Sequence, residues 1–92
     1  MPEAVGKAGL NGEGALRSLA DLPVGTRAVI ARIPLDDPGT AAELAALRIL
    51  PGEPVEVVEV IPLHGPLLVQ TAGGVYALGR RLAGRIAVHG EP

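Results

Sequence analysis

The stretch from Leu44 to Ile61, LAALRILPGEPVEVVEVI, decides the fold of this chain. Leu44 and Leu47 have the three-residue spacing of one apolar helix face. The helical pattern stops at Pro51-Gly52, because proline lacks the backbone donor that a continuing helix needs. A run of mostly branched residues follows, and such residues favour the pleated backbone. A helix, a tight corner and a long strand are therefore predicted within one short stretch.

The boundaries of the helix and the shape of the strand follow from polar residues. Thr40 followed by Glu43 fits a capping box, so we predict the helix over residues 40–49. In the strand, Glu56 and Glu59 are three residues apart and would fall on opposite faces of a regular pleat. We therefore expect a β-bulge at Val57-Val58, which would bend this strand.

The segments on either side supply strands that can pair with this one. The apolar residues of Thr26–Ile33 change parity, which indicates a second bend. Gly73-Gly74 predicts a two-residue hairpin, because both central residues of a type I′ turn need a positive φ. A helical turn is expected over residues 80–84, and Arg85–Val88 is expected to close the sheet. The predicted fold is mainly β, a small five-stranded half-open barrel with one short inserted helix.

A chain of 92 residues has room for a single domain with a thin core. Residues 1–15 contain several glycines without a hydrophobic period, so we predict a flexible leader there. The domain itself is expected over residues 16–89, with a tail over residues 90–92.

Composition argues against several classes of function. The net charge is −2 and the sequence pI is about 5.6, whereas a nucleic-acid-binding barrel needs a basic surface. Tyr76 is the single aromatic residue, so no stacking platform for bases is expected. There is no cysteine. Ser18 is the single serine, and no histidine has a spacing from it that suggests an activated hydroxyl. We therefore predict neither an enzyme nor a bound cofactor. The chain shows no export signal or membrane span, which favours the cytoplasm.

Metal binding has candidate ligands but no ligand motif. No pair of histidines, or of histidine and glutamate, has helical metal-site spacing, so no metal site is predicted. The acidic pair before the helix suits the positive end of the helix dipole. The candidate ligands are His64, His89, Asp36, Asp37, Glu56 and Glu59.

From Leu19 to Val88 the chain resembles the ferrous iron transport protein A (FeoA) family of SH3-like barrels. The resemblance lies in the order of four segments: Leu19–Gly25, Leu44–Gly52, Val55–Pro66 and Val75–Val88. It implies a cytosolic accessory of bacterial ferrous iron uptake, whose partner is the cytoplasmic GTPase-bearing part of the membrane transporter. The alternative it implies is the metal-sensing regulatory domain of metal-dependent repressors. Arg48 stands where the family usually has glycine, which predicts strain of about 1 kcal/mol if its backbone is left-handed.

The remaining candidate for function is a surface for protein contact. Because the core is thin, we expect aliphatic residues after the helix and around the turn at Pro62–Pro66 to form an exposed patch. Core packing is the alternative for Leu47 and Ile49, and weak self-association through the patch stays open. Arg80, Arg81 and Arg85 form the one local excess of positive charge, for which a solvated helical turn is the default and contact with an acidic surface of the partner is the alternative. The predicted contact residues are Leu47, Ile49, Leu50, Pro62, Leu63, Leu67, Arg80 and Arg81.

Overall fold

The computed structural model describes residues 15–90, which form a six-stranded antiparallel sheet with two short α-helices. The sheet has the order β1-β6-β2-β3-β4-β5. The mainly β, SH3-like architecture predicted from the sequence is confirmed. The elements are β1 (Arg17–Ser18), a 3₁₀ turn (Leu19–Asp21), β2 (Arg27–Arg32), α1 (Pro38–Ala46), β3 (Pro54–Val60), β4 (Leu67–Thr71), β5 (Gly74–Leu78), α2 (Arg80–Ala83) and β6 (Ala87–Gly90).

The sheet has one strand more than predicted, and its last strand begins later. Strand β1 is only two residues long, too short to show the alternation that marks a strand in sequence. It is held by pairing with β6, where Ser18 lies opposite Ala87. Strand β6 begins at Ala87 rather than Arg85, because the amides of Arg85 and Ile86 still donate to carbonyls of α2, at 2.9 and 3.2 Å.

Both predicted bends are present. The register of β3 against β4 shifts between Val57 and Glu59, at the expected bulge. The register of β2 against β6 shifts between Ile30 and Arg32, where the sequence changes parity. Bulges increase strand twist and let a short sheet curl around its core.

The start of α1 differs from the predicted capping box. Asp37 caps the helix, with Oδ1 accepting hydrogen bonds from the amides of Gly39 at 3.0 Å and Thr40 at 3.4 Å. The predicted cap at Thr40 is therefore wrong, and its hydroxyl donates to Asp37 Oδ2 at 3.0 Å. Pro38 follows the cap at the first helical position, where a missing amide hydrogen is no loss. The helix ends at Ala46, three residues earlier than predicted, and Arg48 has the left-handed φ of 65°.

The β4–β5 hairpin turns one residue earlier than predicted. Thr71 pairs with Gly74, so the two loop residues are Ala72 and Gly73, and the predicted Gly73-Gly74 centre is wrong. The side chain of Thr71 explains the shift: its Oγ1 accepts from the amide of Gly73 at 3.0 Å and donates to the carbonyl of Leu47 at 2.7 Å. One hydroxyl therefore fixes the turn and ties the end of α1 to the sheet.

The core lies between the curled sheet and the two helices. Except for Ala15, the predicted leader over residues 1–15 lies outside the described residues, as do residues 91 and 92 of the predicted tail. Within residues 15–90, no helix has the length and apolar character needed to cross a bilayer. The largest fully buried side chains are those of Leu19, Ile30, Leu44, Ile49, Val55, Val57, Leu67, Val69, Ile86 and Val88.

Candidate functional site

The polar side chains that could take part in catalysis or metal binding are dispersed or have structural roles. Among residues 15–90, no three histidine or acidic side chains come close enough to hold a metal ion together. Ser18 Oγ accepts from the amide of Ala20 at 3.1 Å and donates to the carbonyl of Ala83 at 3.4 Å. This hydroxyl joins β1 to the 3₁₀ turn and α2.

The turn between β3 and β4 presents the most exposed large apolar side chain of the described residues. Leu63 is 95% exposed, and both it and His64 have left-handed backbones, with φ of 62° and 61°. The amide of Gly65 donates to the carbonyl of Pro62 at 3.2 Å, so these two are the central residues of a four-residue turn. Non-glycine residues in this conformation cost roughly 1–2 kcal/mol each. The turn therefore holds an exposed leucine in a strained, defined position.

The packing of the turn fixes this shape. The amide of Ile61 donates to the carbonyl of Pro66 at 3.0 Å, which closes the base of the turn. A Cβ atom on Gly65 would lie 2.7 Å from Ile61 Cγ2, closer than side chains approach. Only glycine fits there without movement of Ile61, so Leu63 is presented by a tightly closed loop.

A second apolar feature is a groove of about 300 Å³ between α1, the end of β5 and the start of α2. Leucines from all three elements line it, and Glu43 supplies a carboxylate. The main lining residues are Glu43, Leu44, Leu47, Ala77, Leu78 and Leu82. Leu82 was not predicted as a site residue, although its four-residue spacing from Leu78 is a weak signal.

The turn and the groove lie toward the same end of the sheet. Val60 pairs with Leu67, which pairs in turn with Leu78, so the strand end that leads into the turn is aligned with the end of β5. We call the turn at Pro62–Gly65 and the groove together the apolar contact surface. Strand β4 lies between the end of β3 that leads into the turn and the end of β5 at the groove.

The structure separates the predicted apolar contact residues into three groups. Ile49 and Leu67 are 0% exposed and belong to the core, so they are removed from the contact surface. Leu47 and Leu50 are half-buried and pack against the core, with Leu47 also lining the groove. Pro62 and Leu63 are exposed.

The two predicted arginine contacts differ in accessibility. Arg81 is exposed, whereas Arg80 is half-buried. Arg80 Nε is buried and has no hydrogen-bond partner among the described residues, so the side-chain stem of Arg80 is packed on the protein. Arg81 is therefore the more accessible of the two side chains.

Comparison with known proteins gives a consistent result. The model of the FeoA domain matches residues 17–89. A crystal structure of an iron uptake regulatory protein, FeoA, superposes with a TM-score of 0.72 and 27% identity over 82% of this chain and 97% of that one. Stenotrophomonas maltophilia FeoA, crystallised with zinc, has 32% identity and a TM-score of 0.65 over 78% of this chain and 88% of that one.

The same fold also occurs within a larger regulator. A manganese-dependent transcriptional repressor matches with a TM-score of 0.75 and 24% identity, over 83% of this chain and 42% of that one. None of the curated protein sequences matches this chain.

Proposed function

This chain belongs to the FeoA domain family, and on that premise we propose that it is a non-catalytic, cytoplasmic accessory protein of bacterial ferrous iron uptake. It acts by contact with the cytoplasmic GTPase-bearing part of the ferrous iron transporter, and the apolar contact surface makes that contact. Iron is the cargo of the transporter and needs no site on this chain.

The exposure of Leu63 is the observation that carries the proposal. A leucine at a turn tip gains nothing for the fold when it is 95% exposed, yet the backbone that presents it is strained. Strain that persists in a tightly closed turn is a recognised feature of contact sites. Burial of one leucine side chain against a partner contributes about 1.5–3 kcal/mol, enough to make it a central anchor.

The groove supplies the area that a single side chain lacks. Half-buried Leu47 and Leu82 form part of its apolar lining, and both pack against the core, which holds them in place. A partner side chain in the groove and Leu63 in a pocket of the partner would make the contact reciprocal, which favours one orientation of docking.

The test is a binding titration of the transporter's cytoplasmic domain, with and without GTP, by isothermal calorimetry. Leu63→Asn keeps a residue that tolerates the left-handed backbone and removes the apolar anchor. The matched control is Leu35→Asn, because Leu35 is also a surface leucine, 76% exposed, but lies in the loop before α1. We expect Leu63→Asn to weaken binding by at least about tenfold, as for loss of a central anchor. The control should change it less than twofold.

Absence of binding by the unmodified protein in both nucleotide states would contradict the proposal, as would equal losses in the two variants. Self-association is measured alongside by sedimentation, because a second copy could occupy the same surface. A dimer that Leu63→Asn dissociates, without binding of the transporter domain, would replace the proposed partner with a second copy of the chain.

A second candidate is a metal-sensing regulatory role, because the same fold occurs within a manganese-dependent repressor. That likeness supports the fold alone. Calorimetry with Fe²⁺ and Mn²⁺ separates the two roles, because a sensor must bind its metal stoichiometrically whereas an accessory acting by contact need not.

A further inference from the structure

A second surface lies on the other side of α2, where β1, β6 and β2 run side by side. It is an open hollow of about 280 Å³. Three arginines line it, together with aliphatic residues of the adjacent segments. The main lining residues are Arg17, Arg32, Arg85, Leu16, Ile86 and Ala87.

The sheet brings these arginines together from distant parts of the sequence. Arg17 of β1 lies opposite Val88 of β6 and Arg32 of β2 lies opposite Ala87, so β6 runs between the two arginines, and both line the hollow. Strands in a sheet are about 4.8 Å apart, which places the backbones of Arg17 and Arg32 roughly 10 Å from each other. Arg85 reaches the same hollow from the link between α2 and β6.

One of these three arginines already pairs with a carboxylate of the chain. Arg85 Nη2 donates to Asp36 Oδ1 at 2.6 Å, and this hydrogen bond holds the pKa of Asp36 below its ordinary value. Arg17 and Arg32, in contrast, have no ion pair with any carboxylate of residues 15–90. The hollow therefore shows carboxylate recognition at one arginine and leaves two guanidinium groups for other anions.

We propose that this hollow binds an acidic, extended segment of a partner protein, with carboxylates of that segment paired to Arg17 and Arg32. Where the partner is the transporter's cytoplasmic part, the inference rests on the proposed function. It adds a second, electrostatic contact beyond the apolar contact surface.

The dimensions favour an extended acidic segment over a single small anion. On an extended chain, side chains two residues apart lie on the same face, and their carboxylates are about 6.6–6.8 Å apart. Arg17 and Arg32 have backbones roughly 10 Å apart, and their long, flexible side chains can reach two carboxylates at that spacing. The oxygens of one phosphate lie much closer together and would need the guanidinium groups to converge on one point. Leu16, which is 41% exposed, and half-buried Ala87 offer apolar contact to the small side chains between the carboxylates.

The experiment uses the full 92-residue chain, labelled with ¹⁵N, and follows its amide resonances during titration. The probes are a synthetic decapeptide of alternating glutamate and alanine, its glutamine counterpart and inorganic phosphate. We expect saturable shifts around β1, β6 and the end of β2 with the glutamate peptide. The glutamine peptide should cause none, and added salt should weaken binding.

The double variant Arg17→Gln/Arg32→Gln tests the assignment of the two arginines. It should weaken binding of the glutamate peptide at least about tenfold, because charged hydrogen bonds of this kind dominate such contacts. The control Arg48→Gln/Arg81→Gln removes the same charge from exposed positions outside the hollow and should change binding less than twofold. Equal weakening by the two double variants, or shifts spread evenly over all arginines, would overturn the inference.

Three further outcomes separate this inference from a phosphate site and from the proposed function. Phosphate that binds the same resonances more tightly than the peptide would make the hollow a phosphate site and overturn the acidic segment. The double variant is also titrated with the transporter's cytoplasmic domain. Binding equal to that of the unmodified chain would refute the inference and leave the proposed function standing. Peptide binding without transporter binding would keep the acidic-segment site and remove the proposed partner.

Discussion

Replacement of Arg48 by glycine should stabilise the fold relative to replacement by alanine. Arg48 follows the end of α1 with a φ of 65°, a conformation in which the Cβ atom crowds the following carbonyl. Its guanidinium lies 3.4 Å from Glu53 Oε2, with the two side chains 56% and 26% exposed. Both replacements lose this ion pair, so the difference between their free energies of unfolding reports the effect of the backbone conformation alone.

The expected magnitude follows from two opposing effects. Relief of left-handed strain is worth about 1–2 kcal/mol. Glycine also loses more backbone entropy on folding, which costs about 0.5–1 kcal/mol. The glycine variant should therefore be about 0.5–1 kcal/mol more stable than the alanine variant. For a domain of this size that difference is roughly 3–6 °C in Tm. The lost ion pair lowers both variants by only a few tenths, since solvent screens it (~0.3 kcal/mol).

Urea unfolding followed by far-ultraviolet circular dichroism measures the free energy of unfolding of the two variants and of the unmodified protein. Arg48→Asn is the intermediate, because asparagine tolerates the left-handed region. The expected order of stability is glycine, asparagine, alanine. An alanine variant as stable as the glycine variant would refute the assignment of a strained helix end at this residue.

Three other expectations concern the contacts that hold α1 and its flanking loop. Asp37→Ala removes the cap of α1 and should lower the free energy of unfolding by about 1 kcal/mol in thermal melts, whereas Asp37→Asn should retain most of it. Thr71→Val leaves the Leu47 carbonyl without its 2.7 Å donor and should lower stability by roughly 1–2 kcal/mol in urea titrations, with Thr71→Ser as the control. Arg85→Gln should raise the pKa of Asp36 in a carboxyl NMR titration, because the main cause of its lowered pKa is the hydrogen bond from Arg85. Since the folded-state pKa is the lower one, the Asp36–Arg85 pair stabilises the fold above the unfolded-state pKa. That contribution is lost as the pH falls through the folded-state pKa.

Each of these three has an outcome that would contradict it. Equal melting of Asp37→Ala and the unmodified protein would mean that Pro38 alone sets the helix start. A Thr71→Val variant as stable as the unmodified protein would contradict the role of the hydroxyl, because valine keeps the methyl group of threonine and lacks only the hydroxyl. An unchanged titration of Asp36 in Arg85→Gln would remove the ion pair from the solution structure.

The main elements could be predicted because their signals are local. The bulge at Val57 followed from the parity of Glu56 and Glu59, which needs no knowledge of the partner strand. The bounds failed where a neighbouring side chain competed. Asp37, rather than Thr40, is the N-cap residue, because Pro38 can begin a helix directly after it.

The contact residues were harder to predict because burial depends on which face of a strand is inward. The sequence places Leu67 beside the turn, but Leu67 is buried in the core, where it pairs with Val60 and Leu78. Pro62 and Leu63 stay exposed. Arg17 and Arg32 gave no local signal at all. They line one hollow only because β6, from the end of the described chain, lies between their strands.

Strand β5 has consequences for handling and engineering of this domain. It ends the sheet order, and its sequence, Gly74 to Leu78, carries neither a charge nor a proline. An uncharged edge of this kind invites strand addition between molecules, and Val75 is 56% exposed along it. Concentrated stocks should therefore favour slow growth of ordered multimers, and a single lysine in place of Val75 is the simplest gatekeeper against it.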